Sequence, residues 1–293
     1  LKNIMIETTL TNKSKRVVIH RDAPTVIIGE RINPTGRKEV LAALEAGDFE
    51  SVRRDALAQV AAGATVLDIN AGVPGADEAA LLEQIIKEVI AVTDVPLCID
   101  TVNPKALEAA LNLYKGKPLV NSVNGEMKSL ETVLPLVKEH GAAVIGLCID
   151  SNGIPASPEE RVTVAEKIIK RATQLGIPIE DIVIDPLAMA MSADHKAGWV
   201  TLESVRLIVQ EFGVNITMGA SNVSFGLPDR KYVNATYIAM AIQAGLTCPI
   251  TNPLVTEINA AILAADMAMG RDEFSMRWIK AFRKRNKDAG EKR

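Results

Sequence analysis

Short apolar runs recur along the chain at intervals of roughly 25 to 40 residues, and most are followed by a stretch with helical periodicity. The runs are continuous rather than alternating, as is typical of strands buried on both faces of a parallel sheet. They predict strands at Thr25–Gly29, Val66–Asn70, Leu97–Asp100, Leu119–Asn121, Ala143–Cys148, Ile182–Asp185, Asn215–Met218 and Thr247–Ile250. Because eight strand–helix repeats close a barrel, the pattern predicts an α/β fold, a (β/α)8 TIM barrel. An open doubly wound parallel sheet is the structural alternative.

Capping residues mark where several predicted helices begin. Asp77 precedes a helix to Val92, Asn103 precedes one over Pro104–Leu113, and Ser157 with Pro158 opens one to Leu175. A glycine follows three of the apolar helical runs, where a helix commonly ends. These glycines are Gly176, Gly213 and Gly245. The regular alternation of strands with capped helices supports the parallel α/β prediction.

No stretch is long or polar enough to act as a linker, so residues 1–293 are predicted to form one barrel domain. Residues 1–24 precede the first predicted strand and are expected to form an N-terminal arm or short hairpin over the barrel bottom. Residues 271–293 are expected to form a C-terminal helix and a solvated basic tail.

Composition narrows the class of protein. Hydrophobic residues make up 48% of the chain but aromatic residues only 3%, which predicts a large aliphatic core. A formal net charge of −3 gives no electrostatic footprint for nucleic acid. No apolar run reaches the roughly 18 residues of a membrane span, and the N-terminus lacks the pattern of a signal peptide. Three widely spaced cysteines and three histidines predict free thiols, no metal site and a cytoplasmic location.

Polar residues follow nearly every predicted strand. Since a barrel enzyme builds its site at the carboxyl ends of its strands, these side chains are expected at one rim. They are Glu30 and Asn33, Asp68 and Asn70, Asp100, Asn121 and Asn124, Asp150, Asp185, Ser221 and Asn222, and Asn252. Any single one can be interpreted as a cap for the next helix. Asn103 is available to cap the helix after Asp100, so Asp100 is free for another role.

The chemistry that suits such a rim is narrow. The sequence contains no HExxH, no GxSxG and no Walker loop, and its histidines are scattered. A carboxylate accepts two parallel N–H bonds, and a carboxamide offers both a donor and an acceptor. Together they match the edge of a flat nitrogen heterocycle such as the pyrimidine ring of a pterin.

Several motifs, in the same order along the chain, resemble those of a known family. They are Gly29-Glu30-Arg31-Ile32-Asn33, Leu67-Asp68-Ile69-Asn70, Cys98-Ile99-Asp100-Thr101, Asn121-Ser122-Val123-Asn124, Ile184-Asp185-Pro186-Leu187 and Gly219-Ala220-Ser221-Asn222-Val223-Ser224. They resemble the pterin-binding methyltransferases, above all the methyltetrahydrofolate:corrinoid-protein methyltransferases of glycine betaine demethylation and of acetogens. The pterin domain of cobalamin-dependent methionine synthase and dihydropteroate synthase are more distant matches. The resemblance runs from about Val26 to the last barrel helix.

The resemblance implies a role for each matching residue. Asp100, Asn121 and Asp185 would hold the pterin ring, and Gly219 and Ser221 would line the same wall. Asn222 would lie beside the methyl-bearing N5, both binding the pterin and acting as the catalytic residue. The secondary candidates are Glu30, Asn33, Asp68, Asn124 and Arg230.

Two features depart from the family pattern. Phe225 replaces a polar residue and changes the surface that a corrin would approach. The segment Leu187–His195 is rich in methionine, which is consistent either with loop packing or with a contact surface for pterin or corrinoid.

By the same resemblance, the enzyme would move the N5-methyl group of methyltetrahydrofolate to or from the Co(I) corrinoid of a partner protein. Tetrahydrofolate would be substrate or product, cobalamin would be carried by the partner, no cofactor would be tightly bound, and the chain would form a homodimer. A proton would reach N5 through a network including Asp68 or Asp100.

Two alternatives remain from the sequence. One is an enzyme like dihydropteroate synthase, whose diphosphate site Arg31 and Arg230 could supply, although no lysine-rich stretch follows the seventh strand. The other is a non-catalytic subunit that only presents a pterin.

Overall fold

The computed structural model describes residues 6–13, 15–35 and 37–290, and the side chains of all of these except 288–290. The strands, in chain order, are β1 (Thr8–Asn12), β2 (Lys15–Ile19), β3 (Ile28–Ile32), β4 (Val66–Asn70), β5 (Leu97–Asp100), β6 (Gly116–Lys117), β7 (Leu119–Asn124), β8 (Ala143–Leu147), β9 (Ile182–Asp185), β10 (Asn215–Ile216) and β11 (Ile250–Thr251). The helices are α1 (Lys38–Glu45), α2 (Glu50–Ala61), α3 (Glu78–Val92), α4 (Pro104–Leu113), α5 (Met127–His140), α6 (Pro158–Gln174), α7 (Ala197–Phe212), α8 (Arg230–Ala244), α9 (Thr256–Ala268) and α10 (Met276–Gly290).

Eight parallel strands form one sheet in the order β10-β9-β8-β7-β5-β4-β3-β11. The two edge strands meet, because Gly219 and Ile250 form a parallel bridge and Ile250 N donates to Met218 O at 2.9 Å. The sheet is therefore a (β/α)8 barrel, and the alternative of an open doubly wound sheet is wrong.

The predicted strand positions are right, but the bounds of five strands differ. The first strand is Ile28–Ile32 rather than Thr25–Gly29, so Glu30 lies within the strand, and the fourth continues past Asn121 to Asn124. The fifth ends at Leu147 rather than Cys148. The seventh and eighth are only two residues long, Asn215–Ile216 and Ile250–Thr251. The reason is that apolar runs mark where a strand is buried and do not determine how far its hydrogen-bonded ladder extends.

The core has two layers. Inside the barrel, small and branched aliphatic side chains from the strands form one cluster, which includes Ile28, Val66 and Val183. A larger cluster lies between the strands and the surrounding helices. Both are almost entirely aliphatic, as the low aromatic content predicts.

A hairpin lies across the amino ends of the barrel strands. β1 and β2 pair antiparallel, and β6 joins β1. Leu10, Val17 and Ile19 belong to the same apolar cluster as the inner strand residues. Asn215 Nδ2 donates to Thr8 Oγ1 and to the Ile19 carbonyl, each at 3.0 Å. The hairpin thus closes the bottom of the barrel and leaves the carboxyl ends of the strands as the open mouth.

Helix caps lie where the sequence predicts them. Asp77 accepts hydrogen bonds from the first turn of α3, Asn103 accepts from Lys105 N, and Ser157 forms a capping box with Glu160. Because Asn103 caps α4, the carboxylate of Asp100 is not needed there. Within the described residues, no helix combines the length and apolarity that crossing a membrane would require.

Candidate active site

Two carboxylates lie on neighbouring strands at the mouth, one buried and one partly buried. Asp68 lies on β4 and Asp100 ends β5, with Asn70 paired to Asp100 in the ladder. Asn70 Nδ2 donates to Asp100 Oδ2 at 3.0 Å, and Asn121 Nδ2 on β7 donates to Asp68 Oδ1 at 3.2 Å. Side chains of three adjacent strands therefore form two hydrogen-bonded pairs, which interact through the charges of Asp68 and Asp100.

The electrostatics of this pair favour a bound proton. Burial raises the pKa of Asp68, and the nearby carboxylate of Asp100 raises it further. Burial also raises the pKa of Asp100, against the hydrogen bond from Asn70, which lowers it. Since neither carboxylate has a cationic partner among the groups that shift its pKa, the pair binds a proton at a higher pH than two exposed aspartates would.

A third acid, Glu30 on β3, connects the pair to the opposite side of the mouth. Ser221 Oγ, in the turn after β10, donates to Glu30 Oε1 at 3.3 Å. Burial raises the pKa of Glu30, and the Ser221 hydrogen bond partly offsets this. Arg230 fixes the turn from outside, donating to the Ser221 carbonyl at 2.7 Å and to Ser224 Oγ at 2.9 Å.

Asp185 ends β9 and lies buried at the next position around the barrel. Its Oδ1 accepts from Leu187 N at 2.7 Å. Burial raises the pKa of Asp185 to about 7, and hydrogen bonds from the backbone of Leu187 and Gly219 together with the charge of Arg161 keep it from rising further. The carboxylate therefore changes its charge near neutral pH.

Arg161 was not recognised in the sequence, and the structure shows why it matters. It is buried on α6, and its guanidinium donates to the carbonyls of Pro186 and Leu187, each at 2.7 Å. Leu187 has a φ of 67°, a left-handed conformation that a branched side chain disfavours. Arg161 and Thr201 hold the strained residue in place, and with it the backbone around Asp185. An arginine on the apolar face of a predicted helix was the only signal available.

Asn222 lies in the short 3-10 turn Ala220–Ser224 after β10. Asn222 N donates to Gly219 O at 3.1 Å, which folds the turn back over Gly219. A Cβ atom on Gly219 would lie 2.9 Å from Asn222 Nδ2, so the glycine lets the carboxamide pack directly against that backbone. Gly219 N also contacts the carboxylate of Asp185. Asp185, Gly219 and Asn222 therefore share one wall.

Two secondary candidates have local structural duties. Asn33 Oδ1 accepts from Thr35 N at 2.8 Å, and Asn124 Oδ1 accepts from Glu126 N at 2.9 Å ahead of α5. The methionine-rich segment is tied to the Asn222 turn, because Met191 N donates to Val223 O at 3.0 Å. Met191 also packs against Gly198, which agrees with the loop-packing interpretation.

The structure thus brings most of the expected residues to one mouth. Asn121 is hydrogen-bonded to Asp68, and the charges of Asp100 and Glu30 both act on Asp68. The other side of the mouth is formed by the end of β9 and the turn after β10, which carry Asp185, Gly219, Ser221 and Asn222. The hydrogen bond from Ser221 to Glu30 connects the two sides. Among the described residues no cluster of three or more His, Cys, Asp or Glu side chains is arranged to hold a metal ion.

Comparison with known proteins agrees with this geometry. The chain is 32% identical over 266 residues to the methylcorrinoid:tetrahydrofolate methyltransferase of Eubacterium limosum, covering 88% of this chain and 96% of that protein. It is 28% identical over 264 residues to methionine synthase from Mycobacterium tuberculosis, covering 86% of this chain but 22% of that protein. Dihydropteroate synthase from Thermus thermophilus superimposes with a TM-score of 0.65 at 20% identity, over 88% of this chain and 99% of that one, a likeness that shows the fold.

The fold and the acids and amides at its mouth define a class, the (β/α)8-barrel enzymes, whose active sites lie at the carboxyl ends of the strands. The family model for pterin binding enzymes matches residues 29–252, most of the chain. This protein belongs to the pterin binding enzyme family.

Proposed function

We propose that this protein is a methyltransferase that moves a methyl group between N5 of tetrahydrofolate and the cobalt of a corrinoid carried by a partner protein. The observation that carries the proposal is the wall formed by Asp185, Gly219 and Asn222. We assign its buried acid to the pterin ring and its amide to the reacting nitrogen. The extent of the similarity to the Eubacterium limosum enzyme, over nearly the whole of both chains, supports it.

Ring recognition follows from the donors and acceptors of a reduced pterin. Its pyrimidine edge offers an amino group and a ring N–H side by side, and one ionised carboxylate accepts both. We assign this role to Asp185, with Asp100 and Asn121 holding the ring from the adjoining strands. Leaving any of these buried groups unpaired would cost about 1–3 kcal/mol, so the site selects for the ring.

The methyl transfer breaks one bond and forms another. In the direction towards cobalt, Co(I) supplies the electron pair of the new Co–CH3 bond and becomes formally Co(III). The electron pair of the C–N bond stays on N5, which takes up one proton, so the products are tetrahydrofolate and methyl-Co(III). The reverse reaction returns the methyl group and releases that proton.

Asn222 stabilises the charge that changes at N5. Its carboxamide oxygen accepts from a protonated N5 and its amino group donates to a neutral one, so it serves both ends of the reaction. We assign delivery of the proton to the Asp68 and Asp100 pair, because burial raises both pKa values and so favours a bound proton.

We also propose that the protein acts in the cytoplasm as a homodimer. The three cysteines are buried free thiols, which suits a reducing compartment. Trp199 on α7 and Tyr232 and Met240 on α8 are exposed side by side around a groove of about 520 Å³. Large apolar side chains grouped in this way are typical of a protein–protein interface.

The decisive experiment mixes the protein with methyltetrahydrofolate and free cob(I)alamin under anaerobic conditions and follows the visible spectrum. We expect conversion to methylcobalamin at a rate proportional to protein concentration. Asp185→Ala should abolish pterin binding in titration calorimetry, and Asp194→Ala, an exposed carboxylate in the following loop, is the matched control. Absence of methylcobalamin with folded wild-type protein that binds the pterin would rule out the proposed reaction.

A further inference from the structure

Exposed apolar side chains surround the mouth of the barrel. They come from the loops or first helical turns after β5, β7, β8 and β10, and are Val102, Met127, Ile154 and Phe225. Isolated exposed apolar residues are ordinary on a protein surface. Here, however, four loops at the carboxyl ends of the strands each carry one.

Phe225 is the bulkiest of them and the closest in sequence to Asn222. Its side chain is 68% exposed in a chain with only five phenylalanines. Phe225 N donates to Asn222 O at 3.1 Å, and Ser192 Oγ donates to Phe225 O at 2.6 Å. The backbone of Phe225 is therefore held from both sides, at the end of the same turn that carries Asn222.

Arg230 supports the ring of Phe225. Its guanidinium lies 6.0 Å from the ring centroid, while the same side chain is fixed by Ser224 Oγ and the Ser221 carbonyl. A cation near the ring and a turn held by main-chain hydrogen bonds both limit its motion. Covering an exposed aromatic ring removes apolar surface from water, so a ring held in place beside the reacting groups favours binding of a molecule that covers it.

The reaction itself identifies the molecule that covers the rim. Cobalt must come within bonding distance of the methyl group on N5, and cobalt lies at the centre of a macrocycle whose edge carries methyl groups and amide side chains. A corrin placed over N5 extends well beyond the pterin and covers the side chains at the rim. Phe225 is one short turn from Asn222 and thus lies within the area that the macrocycle covers.

We infer that Phe225 is a binding contact for the corrin macrocycle, packing against it and setting its position over N5. This inference rests on the proposed function and adds the residue that binds the second substrate. Because the Asn222 turn carries both groups, a corrin in contact with Phe225 is placed relative to the reacting nitrogen without any movement of the turn.

The test uses free cobalamin, so no partner protein has to be identified. We would measure methylcobalamin binding to the protein–tetrahydrofolate complex by equilibrium dialysis, and KM for cob(I)alamin in the methyl-transfer assay. For Phe225→Ala, loss of one aromatic contact should raise both constants about tenfold. Methyltetrahydrofolate affinity and kcat should stay within about twofold. Phe225→Tyr keeps the ring and should behave like wild type.

Phe274→Ala is the matched control. Phe274 is 85% exposed and lies just after α9, at the opposite end of the barrel from the mouth. The same substitution there should leave both cobalamin constants unchanged.

Three results would overturn the inference. Unchanged cobalamin constants for Phe225→Ala would show that the macrocycle does not contact this ring. An equal loss of pterin affinity would place Phe225 in the pterin site or the local fold instead. A change in sedimentation behaviour without a change in cobalamin binding would assign the rim to contact between copies of the chain. If wild-type protein forms no methylcobalamin, the proposed function fails and this inference with it; if it does and Phe225→Ala is unaffected, only this inference fails.

Discussion

The two ends of this barrel treat buried polar groups in opposite ways. At the amino ends of the strands, Asp266 accepts from both N and Oγ1 of Thr25 and from Arg277, with Arg271 alongside. Asn215 donates from one nitrogen to three acceptors in the hairpin. The carboxylate of Asp266 and the side-chain nitrogen of Asn215 are thus hydrogen-bonded within the fold.

At the carboxyl ends, by contrast, the groups that act on Asp68 and Asp100 are amides, the Cys98 thiol and other acids, with no cation among them, and both pKa values are raised. Burying carboxylates without a cation costs stability that the rest of the fold must supply. The difference indicates that the bottom of the barrel stabilises the chain, whereas the mouth is prepared for a ligand that completes its hydrogen bonds.

The largest effect is expected at the bottom. Asp266→Ala removes the acceptor for three donors, which are N and Oγ1 of Thr25 and the guanidinium of Arg277, and it leaves the buried guanidinium of Arg271 without its carboxylate. The substitution should lower the free energy of unfolding by about 3–5 kcal/mol. Urea unfolding measures the loss. Asp94→Ala, an exposed carboxylate at the same end, should change stability by less than about 0.5 kcal/mol. If Asp266→Ala is as stable as wild type but binds the pterin more weakly, the assignment of stability to the bottom of the barrel and of ligand binding to the mouth is wrong.

At the mouth, Asn222→Ala should lower the methyl-transfer rate about 10²- to 10³-fold, as removal of a charge-stabilising amide does in other enzymes. Pterin affinity should fall by less than about threefold, because Asp185 still holds the ring. Single-turnover kinetics and titration calorimetry separate the two. Asn152→Ala makes the same change on an exposed loop at the same rim and serves as control. A parallel loss of rate and affinity would make Asn222 a binding residue only.

The sequence predicted the barrel well because its evidence is local. Strand runs, the capping box at Ser157 and the cap at Asn103 depend on neighbouring residues and appear in the structure where expected. Strand ends were less predictable, since Glu30 continues the ladder although it is charged. Whether a polar residue ends a strand or extends it depends on the next strand, which the local pattern does not contain.

The site shows the same limit. The sequence identified Asp100, Asn121, Asp185 and Asn222 as residues of one rim, and Asp68 and Glu30 as secondary candidates. It did not reveal that Asn121 binds Asp68 or that Asn70 binds Asp100, because these pairs join different strands. Arg161 lies on a helix and reaches the site only through the backbone of Pro186 and Leu187. Contacts of this kind depend on packing between elements distant in sequence.

The cost of the buried mouth can be measured through Asp185. Its pKa is raised from 3.8 to about 7 on folding, so the folded state holds its proton more tightly, and this stabilisation is lost as pH rises to about 7. Asp185→Asn cannot ionise. Relative to wild type, its free energy of unfolding should therefore rise by about 2–3 kcal/mol between about pH 5 and about pH 8. Asp194→Asn should follow the wild-type curve. If the difference in free energy of unfolding between Asp185→Asn and wild type does not change with pH, burial does not raise the pKa of Asp185.

The smallest effect concerns ligand affinity. It tests whether the pterin supplies the hydrogen-bond donors for the buried carboxylate of Asp185. If ionised Asp185 accepts two N–H bonds from the ring, protons compete with the ligand below its pKa of about 7. Affinity for methyltetrahydrofolate should then fall about tenfold from about pH 8 to about pH 6, since the ionised fraction falls by that factor. Titration calorimetry at both pH values measures it, and the weaker binding of Asp185→Asn should not share this dependence. Tighter binding at the lower pH would instead mean that a protonated, neutral Asp185 donates a hydrogen bond to the ring. Burial would then keep the acid neutral, and the site would not need the pterin to pair with an ionised carboxylate.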